Sequence, residues 1–233
     1  MDEIEKVEYK DYIIKIVSDD YPEDPRYFQD NFGTMCCWYR DYFLGDYKKV
    51  DKKPDKHMYK LMENWYDTEI VEKWYNEMGF TEFIEFCIDK LSEHAIVFPL
   101  TLLDHSGITM KIGNSFSCDP GGEDTSRVGF IFVTFEDIKK EFGIKKLTKK
   151  YKEKAERILR AEVEEYDRYL TGEVYGLQIF NEDEEEIESC YGYYDEVKNI
   201  IEDGKYQIDS IIKYEEKKKE FQMNNFNIAW VMA

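Results

Sequence analysis

The sequence predicts an α+β fold: a mainly antiparallel sheet packed with several helices, one of them long. Short runs rich in β-branched and aromatic residues, such as "DYIIKIV", "AIVFPLTLL" and "RVGFIFVTF", are one basis for this. Between them lie stretches whose apolar residues recur at three- and four-residue steps, the helical period. The two kinds of segment follow one another irregularly and without internal repeat, unlike the strict alternation of parallel βαβ units. With 233 residues, 42% of them hydrophobic, and only five prolines, the chain can bury a core. We take residues 1–233 as a single compact domain.

"DYIIKIV" (11–17) is the first expected strand, broken by the two prolines and four acids of "SDDYPEDPR". In "YFQDNFGTMCCWYRDYFLGDY", Phe32, Met35, Cys36, Tyr39, Tyr42 and Phe43 recur at helical steps, which predicts a helix with Gly45 just past its end. A helical insertion follows at about 52–93. Its first part carries Met58, Leu61, Met62, Trp65, Ile70, Trp74 and Met78 and is punctuated by Gly79. Its second, "TEFIEFCIDKLSEH", lines Phe83, Ile84, Cys87, Ile88 and Leu91 on one face, with Thr81 as N-cap.

"AIVFPLTLL" (95–103) reads as a strand, and "RVGFIFVTF" (127–135) as a central strand covered on both faces, because its apolar run is nearly continuous. Thr134, with Asp137 three residues on, caps the next helix. Thr148 opens the long helix, about 148–170 and about 35 Å at 1.5 Å per residue, which Gly172 ends. "EVYGLQIF" and "IESCYGYY" form a hairpin at about 173–192 with an acidic tip, "NEDEEE". "DEVKNIIEDG" gives a short helix ending at Gly204, and Trp230, Val231 and Met232 predict that the apolar tail docks.

Charge narrows the function. Thirty-two bases against 51 acids give −19, which disfavours direct binding of nucleic-acid backbones and favours attraction to basic surfaces. No apolar run approaches the roughly 20 residues of a membrane span. The acidic N-terminus lacks a secretory pattern, and five scattered cysteines lack zinc-ligand spacing, so reduced thiols and a cytoplasmic location are expected. Within the chain, residues 139–160 carry ten bases and three acids, whereas 161–203 carry fifteen acids and two bases. The long helix therefore starts basic and ends acidic, against its own macrodipole. Either the two zones are solvated or folded together, or the acidic one faces a basic partner. The acids concerned are Glu162, Glu164, Glu165, Asp167, Glu182, Asp183, Glu184, Glu185, Glu186 and Glu188.

The stretch "LLDHSGITMKIGNSFSCDPGGEDTSRVGF" offers Asp104 and His105 at a strand end, where catalytic groups are often placed. Neighbouring residues on an extended chain face opposite ways, and "DHSG" is also ordinary turn chemistry. "DPGGEDTS" lacks the lysine of a phosphate loop, and its Asp119, Glu123 and Asp124 would repel phosphate; their spacing is not that of an EF-hand. Asp30, Asn31, Arg40 and Asp46 lie among aromatic rings, and Asp30, Asn31, Arg40, Asp104 and His105 make a possible ligand pocket, with the core face of a helix carrying a structural Arg–Asp pair as the competing reading. No metal site or cofactor is expected.

"PRYFQDNFGTM…YRDYFLGD", "PLTLLDHSGITM", "FSCDPGGEDTSRVGFIFVTFEDIKKEFG" and "EVEEYDRYLTGEVYGLQIF…ESCYGYY" together resemble, in the same order, a family of uncharacterised proteins of phages, plasmids and conjugative elements of Gram-positive bacteria. The resemblance runs from Asp19 to Tyr194. It implies a mobile-element product in the bacterial cytoplasm and no particular reaction. The family pattern carries His immediately before Arg40, where this chain has Tyr39, so a scheme needing that His does not transfer.

The leading expectation is a non-enzymatic binding protein that inhibits a host defence protein by presenting a DNA-mimicking acidic surface. The alternative is a nucleotide-signal hydrolase or small-ligand binder that uses the Asp104/His105 loop.

Overall fold

The computed structural model describes residues 2–231, with side chains over 2–222. The first elements are β1 (Glu3–Tyr9), β2 (Tyr12–Ser18), α1 (Pro25–Phe28) and β3 (Thr34–Cys37). Three helices follow, α2 (Pro54–Met62), α3 (Thr68–Glu77) and α4 (Phe80–Ser92), then β4 (Ala95–Asp104), β5 (Ile108–Ile112) and β6 (Thr125–Thr134). The chain continues through α5 (Phe135–Glu141), α6 (Lys149–Thr171), β7 (Tyr175–Phe180), β8 (Glu186–Tyr193) and α7 (Val197–Val231). Both sheets are antiparallel, and the fold is α+β as expected. Where the sequence suggested one domain, the chain forms two compact units, residues 24–171 and residues 1–23 with 172–233.

The 24–171 unit is three-layered. Its sheet has the order β3-β6-β4-β5. On one face Met35, Leu100, Leu102, Met110, Ile131 and Val133 meet Ala155, Leu159, Val163 and Tyr166 of α6. On the other, Cys36, Phe130 and Phe132 meet Met58, Met62, Val71, Phe83, Cys87 and Leu91 of the three-helix insertion. β6 is thus interior and covered on both sides, because its residues alternate between two cores. Thr134 caps α5 by accepting from the Asp137 N–H at 3.0 Å.

The helix expected over 32–43 is instead the strand β3 followed by irregular chain. Met35 and Cys37 enter one core while Cys36 enters the other, a period of two that the helical spacing of neighbouring aromatics disguised. The expected helix through 57–78 is split between α2 and α3, and the cap of α4 is Gly79, not Thr81.

In the other unit the sheet order is β1-β2-β7-β8, with Ile14, Ile16, Leu177 and Ile179 packed on Ile200, Ile201 and Ile208 of α7. Gly204 does not end this helix. A Cβ there would lie 3.0 Å from Leu177 and 3.2 Å from Ile14, so the glycine lets helix and sheet approach. α7 runs on to Val231; the expected docking of Trp230, Val231 and Met232 lies outside the described side chains. No described helix is long and apolar enough to cross a membrane.

Candidate functional site

β7 and β8 form the expected hairpin, and its tip is set by Asn181. The Asn181 side-chain oxygen accepts from the N–H groups of Asp183 (3.0 Å) and Glu185 (2.8 Å), while its amide donates to the Glu185 carboxylate (3.0 Å). The Glu184 N–H closes the turn onto the Asn181 carbonyl at 3.1 Å. Glu184 is held at φ +60°, a left-handed conformation that costs a residue with a Cβ about 1 kcal/mol. The result presents Glu182, Asp183, Glu184, Glu185, Glu186 and Glu188, all exposed. Among the described residues none of the six is ion-paired. These carboxylates therefore act together as a concentrated negative field.

Beside the hairpin, β8 and α7 enclose a groove of about 450 Å³. Glu188 contributes from the strand; Tyr206, Gln207, Ser210, Ile211, Tyr214, Glu215 and Lys218 contribute from the helix. Tyr206, Ser210 and Tyr214 follow at four-residue steps on one helix face, and the two tyrosines are 75% and 69% exposed.

The long-helix acids, expected to share the partner-facing surface, divide. Glu162 is turned inward, its side chain only 12% exposed. It accepts from the N–H groups of Phe32 (2.5 Å) and Gly33 (3.1 Å) and from Arg26 Nη1 (3.0 Å). Burial raises its carboxyl above the ordinary value, with Arg26 and those amides pulling the other way. Asp167 accepts from the Met110 N–H (2.6 Å) and the Thr109 hydroxyl (2.7 Å), satisfying edge strand β5. Glu165 accepts from Gln29 at 2.7 Å, and Glu164 is exposed. Glu162 and Asp167 thus bind backbone within their own fold, and these four acids belong to a different unit from the six of the hairpin.

Arg26 was not singled out in the sequence. Its guanidinium, 1% exposed, forms a bidentate pair with Asp46 (3.2 and 2.8 Å) and donates to Asn31 (2.9 Å) and the Gly33 carbonyl (2.7 Å). Burial alone would lower its pKa; Asp46 and Glu162 outweigh burial and hold it above the ordinary value. The expected structural Arg–Asp pair exists, but the arginine is Arg26. The signal available in the sequence was "DPRYF", an arginine at the start of a helix capped by Asp24.

The expected pocket residues are not brought together as a set. Asn31 serves the Arg26 network and Asp30 is exposed. Arg40, 86% exposed, pairs with Asp41 at 2.8 Å. Asp104 accepts from the Tyr39 phenol at 3.0 Å, and burial together with that carboxylate raises the phenol's pKa. His105 pairs with Asp124 at 2.8 Å in an exposed position. Asp119 accepts from the Glu123 and Asp124 N–H groups and the Thr125 hydroxyl, which shapes "DPGGEDTS" as a closed loop.

A cleft of about 400 Å³ does occur nearby, between Trp38, Tyr39, Tyr42, Phe43 and Tyr47, with Arg40, Asp51 and Lys52 also lining it. Tyr39 and Tyr42 stack at 5.8 Å, and the Trp38 indole is fixed by donating to the Asp51 carbonyl at 2.9 Å.

Behind Trp38, His57 meets Cys36 at 3.4 Å and accepts from the Asp51 N–H at 3.3 Å through Nδ1, which leaves Nε2 as the protonated nitrogen facing sulfur. Burial lowers the His57 pKa and pushes the Cys36 thiol well up; Cys37 is pushed up to about 12. Both thiols are therefore poor nucleophiles at neutral pH, and the Cys36–His57 pair is a packing contact.

Among known proteins, no family model matches this chain, and neither a curated protein nor a solved structure does.

Proposed function

We propose that this protein is a binding protein whose acidic hairpin engages a basic surface of a nucleic-acid-handling protein. In the mobile-element setting that the resemblance implies, the partner is a host defence protein and the outcome is its inhibition in the bacterial cytoplasm. One observation supports the reading: six carboxylates in seven residues, none ion-paired among the described residues, four in the Asn181 turn and two at the start of β8. A pre-ordered array of one sign speeds encounter with an opposite field and competes with phosphates for it. The mimicking surface is narrower than the sequence suggested, because Glu162 and Asp167 are occupied internally.

The test is capture from a host lysate at low and high salt by the full chain. A variant with Glu182, Glu184, Glu185 and Glu186 changed to Gln and Asp183 to Asn is the comparator. The wild type should retain DNA-binding proteins that salt or added duplex DNA releases; the variant should lose them while keeping its circular dichroism. Equal capture by both would remove the proposal.

The aromatic cleft favours a second reading, a small-ligand site in which planar rings lie beside Arg40 and Lys52. Quenching of tryptophan fluorescence by a titrated nucleotide, lost in Tyr42→Ala, would support it. His105 does not line this cleft, so His105→Ala should leave that binding intact.

A further inference from the structure

We infer that the free edge of β8 and its groove with α7 accept an extended, basic polypeptide segment as an added strand. This rests on the acidic-hairpin reading and says how the partner is held.

β8 is the last strand of its sheet, and all but the last of its eight residues are exposed. An uncovered edge offers unpaired N–H and C=O groups to an incoming strand. The groove alongside supplies the side-chain contacts. Tyr206 and Tyr214 present their rings two turns apart, flanked by Glu188 and Glu215, a combination suited to guanidinium groups that stack on a ring and pair with a carboxylate. Lys218 also lines the groove and leaves that lining net negative.

Charge selects the occupant. A second copy of this chain would bring Glu186 and Glu188, with the four acids of the adjoining turn, to an edge that already carries the same charges, and like charges facing each other across strands are destabilising. A strand carrying Arg or Lys meets the opposite field. The acids thus close the edge to self-association and leave it open to a basic segment.

The experiment uses the full chain and a labelled peptide of alternating Arg and Val, about ten residues long so as to span β8. The comparator is the same peptide with every second backbone amide N-methylated, which keeps charge and side chains but removes strand-pairing donors. Fluorescence anisotropy should show the unmodified peptide binding at least about ten-fold more tightly, with hydrogen-exchange protection appearing in residues 186–193. Tyr206→Ser combined with Tyr214→Ser should weaken it by about ten-fold without loss of helix content. Equal binding of the two peptides would overturn the strand-addition mode yet leave the acidic hairpin as a charge-only contact. Absence of binding by either peptide at low salt would also overturn it, and lysate capture would then decide the hairpin reading separately.

Discussion

Replacing Glu162 by Gln separates the acids that hold the fold from those proposed to meet a partner. The Glu162 carboxylate accepts from two backbone N–H groups and the Arg26 guanidinium, with 12% of its side chain exposed. Glutamine keeps one carbonyl oxygen but turns an NH2 toward existing donors and leaves the Arg26 guanidinium with Asp46 as its remaining ion-pair partner among the described residues. Hydrogen bonds to charged groups are worth about 1.5–3 kcal/mol each, and breaking a buried pair costs about 3–5 kcal/mol. Because glutamine keeps part of the network, we expect a loss of about 3 kcal/mol. For a chain of this size that lowers Tm by about 6–12 °C. Urea unfolding followed by tryptophan fluorescence reads the change, since Trp38, Trp65 and Trp74 all lie in the 24–171 unit. Lysate capture by the folded variant should be unchanged. A stability loss under about 1 kcal/mol together with weakened capture would refute the assignment of Glu162 to the interior.

Glu184→Gly should stabilise the hairpin unit by about 0.5–1 kcal/mol, because the φ of +60° suits glycine; lowered stability in circular-dichroism melts would contradict this. His57 gives a pH dependence whose sign is fixed by its depressed pKa. The unfolded chain takes up the proton first, so stability is complete above about pH 6.5 and is lost as pH falls through the folded-state value. Urea midpoints at neutral and mildly acidic pH should show that loss, and His57→Gln should flatten it. Gly129→Ala should cost about 3 kcal/mol, because the new Cβ would sit 1.9 Å from the Cys36 carbonyl oxygen and force β3 away from β6. A near-wild-type melting temperature for that variant would contradict the close approach.

What could be read from the sequence follows from how local each signal is. The central strand β6, the Thr134 cap, the long helix and the acidic hairpin were legible because period, cap chemistry and turn residues act over a few neighbours. β1 carries no clear strand signal because its residues are largely exposed and polar, and β5 carries little because "ITMKI" is only five residues long between turn-forming stretches. β3 was read as a helix because aromatic residues on either side mimicked a helical step.

The candidate site divides the same way. By itself the sequence determined the charge: six acids across a hairpin turn and the start of its second strand, following Asn181 and set between two runs of strand pattern. Only the tertiary structure decided which acids remain available. Glu162 and Glu164 are the same residue type two positions apart in the acidic second half of α6, and at 3.6 residues per turn they point to opposite faces of the helix. Yet Glu162 borders the apolar stripe of Leu159, Val163 and Tyr166, where the N–H groups of Phe32 and Gly33 arrive from a distant part of the chain. Buried donors must find acceptors, and the partner for each is chosen by three-dimensional proximity, which no local pattern encodes.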